Sequence, residues 1–227
     1  MHESWMQNAP SSGNLASMRD VDIRTALRRH LAATCDDDPT TLILDELGIC
    51  SGSVRVDMAV VNGALKGFEI KSDSDTLDRL ANQANAYNKV FDTLSVVVEK
   101  RHLRKVRSMV PAWWGIYLAD ARGNGDVNLK SVRRERLNRG VDAASLVQLL
   151  WRDETLALLH SIGAGARFRK KPRRYLWDAL TTSVALVELR EMVRRQLKAR
   201  QGWRSVSPPA QDDAKSRPFS KLSDFPM

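Results

Sequence analysis

The dipeptide Asn62-Gly63 constrains the fold of this 227-residue chain more than any other feature. It separates two β-prone runs, residues 54–61 and 65–71, and Asn-Gly between such runs is the strongest short-range signal of a β-hairpin. Strand side chains alternate between the two faces of a sheet, so residues two apart point to the same side. Charged side chains interrupt the two runs at every second position: Arg55, Asp57, Glu69 and Lys71.

The length of the turn sets the register of this hairpin. A two-residue loop would place Asp57 opposite Phe68 and leave Glu69 on the other face. A three-residue loop, residues 62–64, places Asp57 opposite Glu69 and pairs apolar residues with apolar residues. This register predicts a left-handed Gly63 in the turn. It also predicts that the charged residues share one face and that the other face is a core face of Val54, Val56, Met58, Val60, Phe68 and Ile70.

Apolar periodicity and capping residues predict the elements around the hairpin. We expect a helix over 21–34 and a strand over 41–47 before it. After it we expect a helix that Ser72 or Asp75 caps and that runs to about Lys89. The following elements are a strand over 94–98, a helix over 102–109 and a strand over 115–118. The chain is therefore predicted to be an α/β protein whose first elements follow the order αβββαβ.

A half-buried hairpin with two carboxylates and a lysine is costly unless those groups bind something, and a divalent metal ion is the expected ligand. Asp57 followed by the Glu-x-Lys of Glu69 and Lys71 resembles the motif of the PD-(D/E)XK nuclease superfamily, and the resemblance covers roughly residues 20–120. Val56 stands where the motif has proline. Gln83 and Tyr87 are similar to the Gln-x-x-x-Tyr element of its RecB-like members. The resemblance implies a restriction-endonuclease-like (or resolvase-like) core of the kind found in small bacterial proteins.

Charge and resemblance together assign roles to individual residues. Asp57 and Glu69 would supply oxygen ligands to Mg²⁺ or Mn²⁺, and the resemblance adds the backbone carbonyl of Ile70. Glu46 is the candidate for a further acidic ligand, with Asp45 as the alternative. The catalytic set would comprise Asp57, Glu69, Lys71, Gln83 and Tyr87. Lys71 would orient the attacking water or neutralise the phosphate, Gln83 and Tyr87 would position the substrate or that water, and phosphate contacts are expected from Arg55 and Arg79.

Each of these assignments has a simpler alternative. Asp57 and Lys71 could form a cross-strand ion pair on a solvated face. Gln83 and Tyr87 could belong to an ordinary polar helix face, and Glu46, Arg55 and Arg79 could be plain surface residues.

The net charge of +9 is unevenly distributed along the chain. Residues 1–121 hold 14 Lys and Arg against 16 Asp and Glu, whereas residues 122–227 hold 22 against 11. A basic run occupies residues 167–174 and contains six cations that are predicted to bind nucleic acid by its phosphates: Arg167, Arg169, Lys170, Lys171, Arg173 and Arg174. We call this set the basic run; its alternative is a solvated surface.

Composition and the turn at residues 123–125 predict four segments. Residues 1–18 and 205–227 are expected to be mobile. Residues 19–121 would form the nuclease-like domain, and residues 122–204 a basic, mainly helical region that weakly resembles the DNA-binding SAP module. We expect helices over 143–162, near 175–181 and over 184–200.

The chain carries no apolar run near the ~20 residues of a membrane span and no secretory leader pattern, and its two cysteines define neither a disulfide framework nor a zinc site. A cytoplasmic protein that does not bind membranes is expected.

The sequence therefore predicts a metal-dependent nuclease, an endonuclease or exonuclease, that hydrolyses phosphodiester bonds in DNA. The alternative is a catalytically inactive protein of the same fold that binds nucleic acid or a partner. A protein partner or a homodimer would be compatible with either function, because no base-reading motif is evident.

Overall fold

The computed structural model describes residues 18–35, 38–122 and 126–200. Apart from Met18, the two tails that the sequence predicts to be mobile lie outside the described residues. Within these residues the six strands are β1 (Leu42–Ile49), β2 (Val54–Val61), β3 (Leu65–Lys71), β4 (Thr93–Glu99), β5 (Gly115–Ala121) and β6 (Val127–Arg133). The seven α-helices of the described ranges are α1 (Asp20–Thr34), α2 (Leu80–Tyr87), α3 (Lys100–Met109), α4 (Ala143–Leu146), α5 (Arg152–Ser161), α6 (Arg173–Ser183) and α7 (Leu186–Ala199). The α/β class is thereby confirmed.

All six strands form one sheet in the order β1-β2-β3-β4-β5-β6. The first three strands are antiparallel, β3, β4 and β5 run parallel, and β6 returns antiparallel to β5. The elements from α1 to β4 follow the predicted order αβββαβ. The sequence did not predict β6, and the boundary placed at residues 121/122 falls between two paired strands of this sheet.

The three-residue turn of the hairpin is present: Val61 pairs with Leu65 and Met58 with Phe68. The prediction of a left-handed Gly63 is wrong, because the described glycines with positive φ are Gly52 and Gly163. Asn62 closes the turn instead. Its backbone N–H donates to the Ala64 carbonyl (3.1 Å), and its side-chain oxygen accepts from the Ala64 N–H (3.1 Å). Asparagine side chains commonly complete turns in this way.

Two apolar clusters lie on opposite faces of the sheet. The cluster under α1 contains Met58, Val60, Phe68 and Ile70. Val56 belongs to the cluster on the other face, and Val54 packs against that second cluster. The prediction that Val54 and Val56 share a face with Met58 and Val60 is therefore wrong. Both β1 and β2 switch faces at one point, where Glu46 has a φ of 57° and sits across from Asp57. A positive φ is uncommon outside glycine and breaks the alternation of side chains.

The helix after the hairpin begins later than predicted. Its first residue is Leu80, and the preceding residue, Arg79, makes no side-chain cap. The Asp75 carboxylate accepts hydrogen bonds from the Ser72 N–H (2.8 Å) and hydroxyl (2.7 Å), which holds residues 72–75 in a turn. Ser72 and Asp75 therefore shape the loop that leads to α2 and do not cap the helix.

The C-terminal helices pack on the same apolar cluster as α2 and one face of the sheet. Leu146, Leu159, Leu180 and Val193 are among its buried members. Charge also ties α7 to the sheet: the buried Asp92 carboxylate, just before β4, lies 3.3 Å from Arg190 and 3.5 Å from Arg194 and accepts from the Leu65 N–H at 2.7 Å. Among the described residues, no helix is long and apolar enough to cross a membrane.

Candidate active site at the open end of the hairpin

A cavity of about 530 Å³ lies where β2 and β3 separate. The paired ladder of these strands runs from Val61 and Leu65 to Met58 and Phe68. One residue further along β2, the Asp57 carboxylate accepts a hydrogen bond from the Ile70 N–H at 2.7 Å. The Asp57 side chain thus bridges from β2 to the backbone of β3 through this oxygen.

Glu69 and Lys71 form a buried ion pair in this cavity. Their side chains are 2% and 8% exposed, and Lys71 Nζ lies 2.6 Å from Glu69 Oε1. Two residues of α2 hold the same carboxylate: the Gln83 amide donates to Oε1 (2.7 Å), and the Tyr87 hydroxyl lies 2.7 Å from Oε2. The Tyr87 hydroxyl is also 2.7 Å from the Arg55 carbonyl oxygen. Helix α2 therefore fixes the orientation of Glu69.

Arg24, from α1, reaches the second carboxylate of the site. Its guanidinium lies 2.9 Å from Asp57 Oδ1 and 3.3 Å from Glu46 Oε1, and it also donates to the Asp57 carbonyl at 2.8 Å. Asp20, one helical turn earlier, lies 3.2 Å from the same side chain. One internal cation is thus shared by three carboxylates.

Burial and neighbouring charges shift the pKa values of three groups in and around the cavity: Asp57, Tyr87 and Arg24. Burial raises the pKa of Asp57 to about 6, and the charge of Glu69 adds to that rise, while the hydrogen bond from Ile70 and the charge of Arg24 oppose it. Burial and the Glu69 carboxylate also raise the pKa of Tyr87, so its hydroxyl stays neutral. Burial disfavours the charge of Arg24, yet the carboxylates around it outweigh that effect and raise its pKa.

The donor set fits a hard divalent cation that keeps several of its waters. Asp57 and Glu69 offer carboxylate oxygens to one cavity, and Mg²⁺ needs only one or two carboxylates from a protein. Gln83 Oε1 is buried and has no hydrogen-bond partner, so it is one further oxygen beside the cavity. Within residues 18–35, 38–122 and 126–200, no group of three or more His, Cys, Asp or Glu is placed to hold a metal.

Most of the residues predicted for the site line or border this one cavity. Asp57, Glu69, Ile70, Lys71, Gln83, Glu46, Arg55 and Arg79 line it, and Tyr87 reaches it through Glu69. Asp45, the alternative to Glu46, does not line the cavity and pairs with Arg28. Arg55 pairs with Glu46 at 3.1 Å. The basic run is exposed and does not contribute to the cavity.

Sequence reasoning missed Arg24 and Asp20. Their separation of four residues on one helix was a readable signal of an ion pair. Nothing local in the sequence indicates that Arg24 also reaches Asp57, because Asp57 lies 33 residues further along the chain.

Fold and site together define an α/β protein that holds a buried Glu–Lys pair and a second carboxylate at the open end of a hairpin. The chain belongs to the family described as Bacteriophage P4 protein cII, whose model matches residues 15–208. It is 27% identical over 183 residues to "Protein cII" of Enterobacteria phage P4, which covers 81% of this chain and 68% of that protein. Among solved structures it resembles the SPO1766 protein of unknown function from Silicibacter pomeroyi, with a TM-score of 0.38, 19% identity, and coverage of 62% of this chain and 88% of that one.

Proposed function

We propose that this protein is a metal-dependent nuclease of the PD-(D/E)XK type, with a restriction-endonuclease-like core, that hydrolyses phosphodiester bonds in DNA in the cytoplasm. One observation carries the proposal: Asp57, Glu69 and Lys71 share a cavity at the open end of the hairpin, and α2 orients Glu69 through Gln83 and Tyr87. A cross-strand ion pair on a solvated face would leave these groups in water, whereas Glu69 and Lys71 are almost fully buried. Such burial is costly and favours a functional role.

Individual residues of the cavity would have separate roles in this reaction. Mg²⁺ or Mn²⁺, when bound, would lower the pKa of a water and offset charge on the phosphate. Asp57 and Glu69 would hold the ion, with the Ile70 carbonyl as a further oxygen. Lys71 carries its charge next to Glu69 and would stabilise the negative charge that develops on the phosphate. Arg79 is exposed at the cavity wall and would contact a neighbouring phosphate.

The test is hydrolysis by the purified full-length chain of labelled single-stranded, duplex, flap and junction DNA with Mg²⁺ or Mn²⁺. We expect activity that EDTA removes and that Asp57→Ala and Glu69→Ala each abolish. Asp178→Ala, which changes an exposed carboxylate of α6 far from the cavity lining, is the matched control and should keep full activity. Activity that survives EDTA, or that survives both site substitutions, would overturn the proposal.

Arg24 favours a second candidate, a catalytically inactive protein of this fold that binds nucleic acid or a partner. Its guanidinium already neutralises Asp57 and Glu46, which is the task that a metal ion would have. The two candidates differ in calorimetry with Mn²⁺. A nuclease should bind the ion with dependence on Asp57, whereas the inactive protein should bind neither Mn²⁺ nor Mg²⁺ and still bind DNA.

A further inference from the structure

Helix α3 is a second strongly basic surface, separate from the basic run. Half of its ten residues are cations, and all five are exposed: Lys100, Arg101, Arg104, Lys105 and Arg107. His102 and Val106 are the buried residues of the helix and face the sheet. The five cations therefore lie on the outer face of α3, which points away from the core.

No ion pair within the described part of the chain neutralises these five cations. This distinguishes α3 from α1 and α7, where Arg24, Arg28, Arg190 and Arg194 pair with carboxylates. Two cations also stand in the first turn of α3, and no acidic residue does. Cations at the N-terminus of a helix oppose its dipole, so this arrangement does not stabilise the helix. An external anion would give these cations the partners that the fold does not supply.

The position of α3 connects this surface to the cavity. Strands β3 and β4 are parallel neighbours, with Lys71 next to Val98, and α3 begins directly after β4 at Lys100. The loop that follows β3 is tied to the same point, because the Asp73 N–H donates to the Glu99 carboxylate at 2.9 Å. The first turn of α3 therefore lies at the carboxyl ends of β3 and β4, where Lys71 lines the cavity.

The basic surface also continues at the far end of the helix. Burial lowers the pKa of Arg133, and the nearby charges of Arg107 and Arg136 lower it further. Arg136 is exposed, so it extends the row of cations beyond Arg107. The α3 surface is accordingly a stripe that starts beside the candidate active site and runs along about 15 Å of helix, at 1.5 Å per residue.

We propose that the exposed face of α3 binds the phosphate backbone of the DNA substrate and leads the strand to the cavity of Asp57, Glu69 and Lys71. The inference rests on the proposed function for its substrate. A row of cations without interleaved exposed aromatic side chains suits phosphates and not bases. Binding by α3 is therefore independent of base sequence. The 15 Å length of α3 spans only about four phosphates of one duplex strand, at 3.4 Å each. Even a short DNA can therefore contact the whole surface.

The test compares two full-length variants that lose the same charge. One carries Arg101→Gln, Arg104→Gln, Lys105→Gln and Arg107→Gln. The control replaces four exposed cations elsewhere with glutamine: Arg29, Lys130, Arg134 and Arg139. Binding to fluorescent single-stranded and duplex DNA of 10 and 30 nucleotides is measured in EDTA at several salt concentrations, and thermal melts establish that both variants are folded.

We expect the α3 variant to lose roughly three units of slope in log K against log salt on duplex DNA, and somewhat less on single strands, at about 0.9 and 0.7 per contact. The control should lose less than one unit, and the difference should be largest on the 10-nucleotide DNA. Equal slopes for the two variants, or no binding of DNA by the unmodified protein, would overturn the inference. Because EDTA excludes hydrolysis, a protein that binds DNA through α3 and cleaves nothing would defeat the proposed function and leave the DNA-binding role of α3 intact.

Discussion

The charges of this protein occur in two kinds of surroundings. In the cavity every predicted catalytic side chain has a partner: Lys71, Gln83 and Tyr87 all contact Glu69, and Arg24 contacts Asp57. In the basic run and on α3, the cations are exposed and none pairs with a carboxylate among the described residues. Folding itself fixes the geometry of the first group, whereas no carboxylate of the described residues neutralises the second group. Substitutions should therefore have different consequences in the two regions.

The largest effect should come from the basic run. Alanine at its six cations, Arg167, Arg169, Lys170, Lys171, Arg173 and Arg174, should remove up to about five units of slope in log K against log salt. Between 50 and 200 mM salt, five units correspond to a change in affinity of about 1,000-fold. Titration of one duplex at several salt concentrations measures this, and several unrelated sequences should weaken equally. An unchanged slope would mean that the run is only a solvated surface.

The six-fold alanine variant also loses cation–π contacts of the basic run, and this loss affects the stability of the fold as well as the affinity for DNA. Arg173 lies 4.4 Å from the Trp177 ring centroid, and Arg174 lies 4.8 Å from that of Tyr175. Exposed contacts of this kind contribute about 0.5–1 kcal/mol each. Lysine at the same positions keeps the charge, so the variant with six lysines is the matched control and should retain the slope.

A smaller effect is expected for the buried lysine. Lys71→Ala should reduce the rate of hydrolysis by about 100-fold, which is typical for removal of one electrostatic stabiliser of a transition state. Lys130→Ala removes an exposed lysine and should leave the rate unchanged. Single-turnover rates at saturating protein separate this chemical step from binding. A Lys71→Ala protein with more than a tenth of the original rate would contradict the role of this amine.

Asp57 should make metal binding depend on pH. Its pKa is raised to about 6, so below that pH the folded carboxyl holds a proton that a metal ion must displace. The affinity for Mn²⁺ should therefore rise about tenfold per pH unit up to about pH 6 and change little above it. Because the charge of Arg24 lowers the pKa of Asp57, Arg24→Gln should move this break to higher pH. Calorimetry at a series of pH values measures both, and a flat profile between pH 5 and 7 would disprove the assignment.

The smallest effect concerns stability. Tyr87→Phe removes a buried hydroxyl whose single O–H is shared between Glu69 Oε2 and the Arg55 carbonyl, which should lower the free energy of unfolding by about 1–3 kcal/mol. Tyr175→Phe makes the same chemical change at a side chain that is 43% exposed, and its effect should stay within about 0.5 kcal/mol. Urea unfolding of the two variants decides the point, and equal losses would mean that the Tyr87 hydroxyl is not held as described.

Sequence reasoning worked best where the signal is local. The three-residue turn could be predicted because only one register pairs Met58 with Phe68, and that pairing is observed. The face switch at Glu46 and Asp57 could not be predicted, because a positive φ in a non-glycine residue depends on the surrounding structure. Strand β6 was missed because residues 122–204 were predicted to be a basic, mainly helical region, although Val127 and Leu129 alternate as in a strand with one apolar face.

Averages over long segments concealed other features of the molecule. The negative balance of residues 1–121 directed attention to the C-terminal half and away from α3, where five cations lie within eight residues. Only the fold shows that these cations are exposed together beside the cavity. Arg24 was missed for a similar reason, since its contact with Asp57 is made between a helix and a strand far apart in the chain.

The ion pairs of Asp92 have a consequence for how this chain can be divided. A shortened protein that ends at residue 121 would keep Asp92 but lose Arg190 and Arg194, and the apolar face of the sheet would lose the C-terminal helices that cover it. A large exposed apolar surface of this kind is an aggregation liability in water. Such a fragment should aggregate on expression. The C-terminal helices are therefore not a module that could be detached without uncovering the apolar face of the sheet.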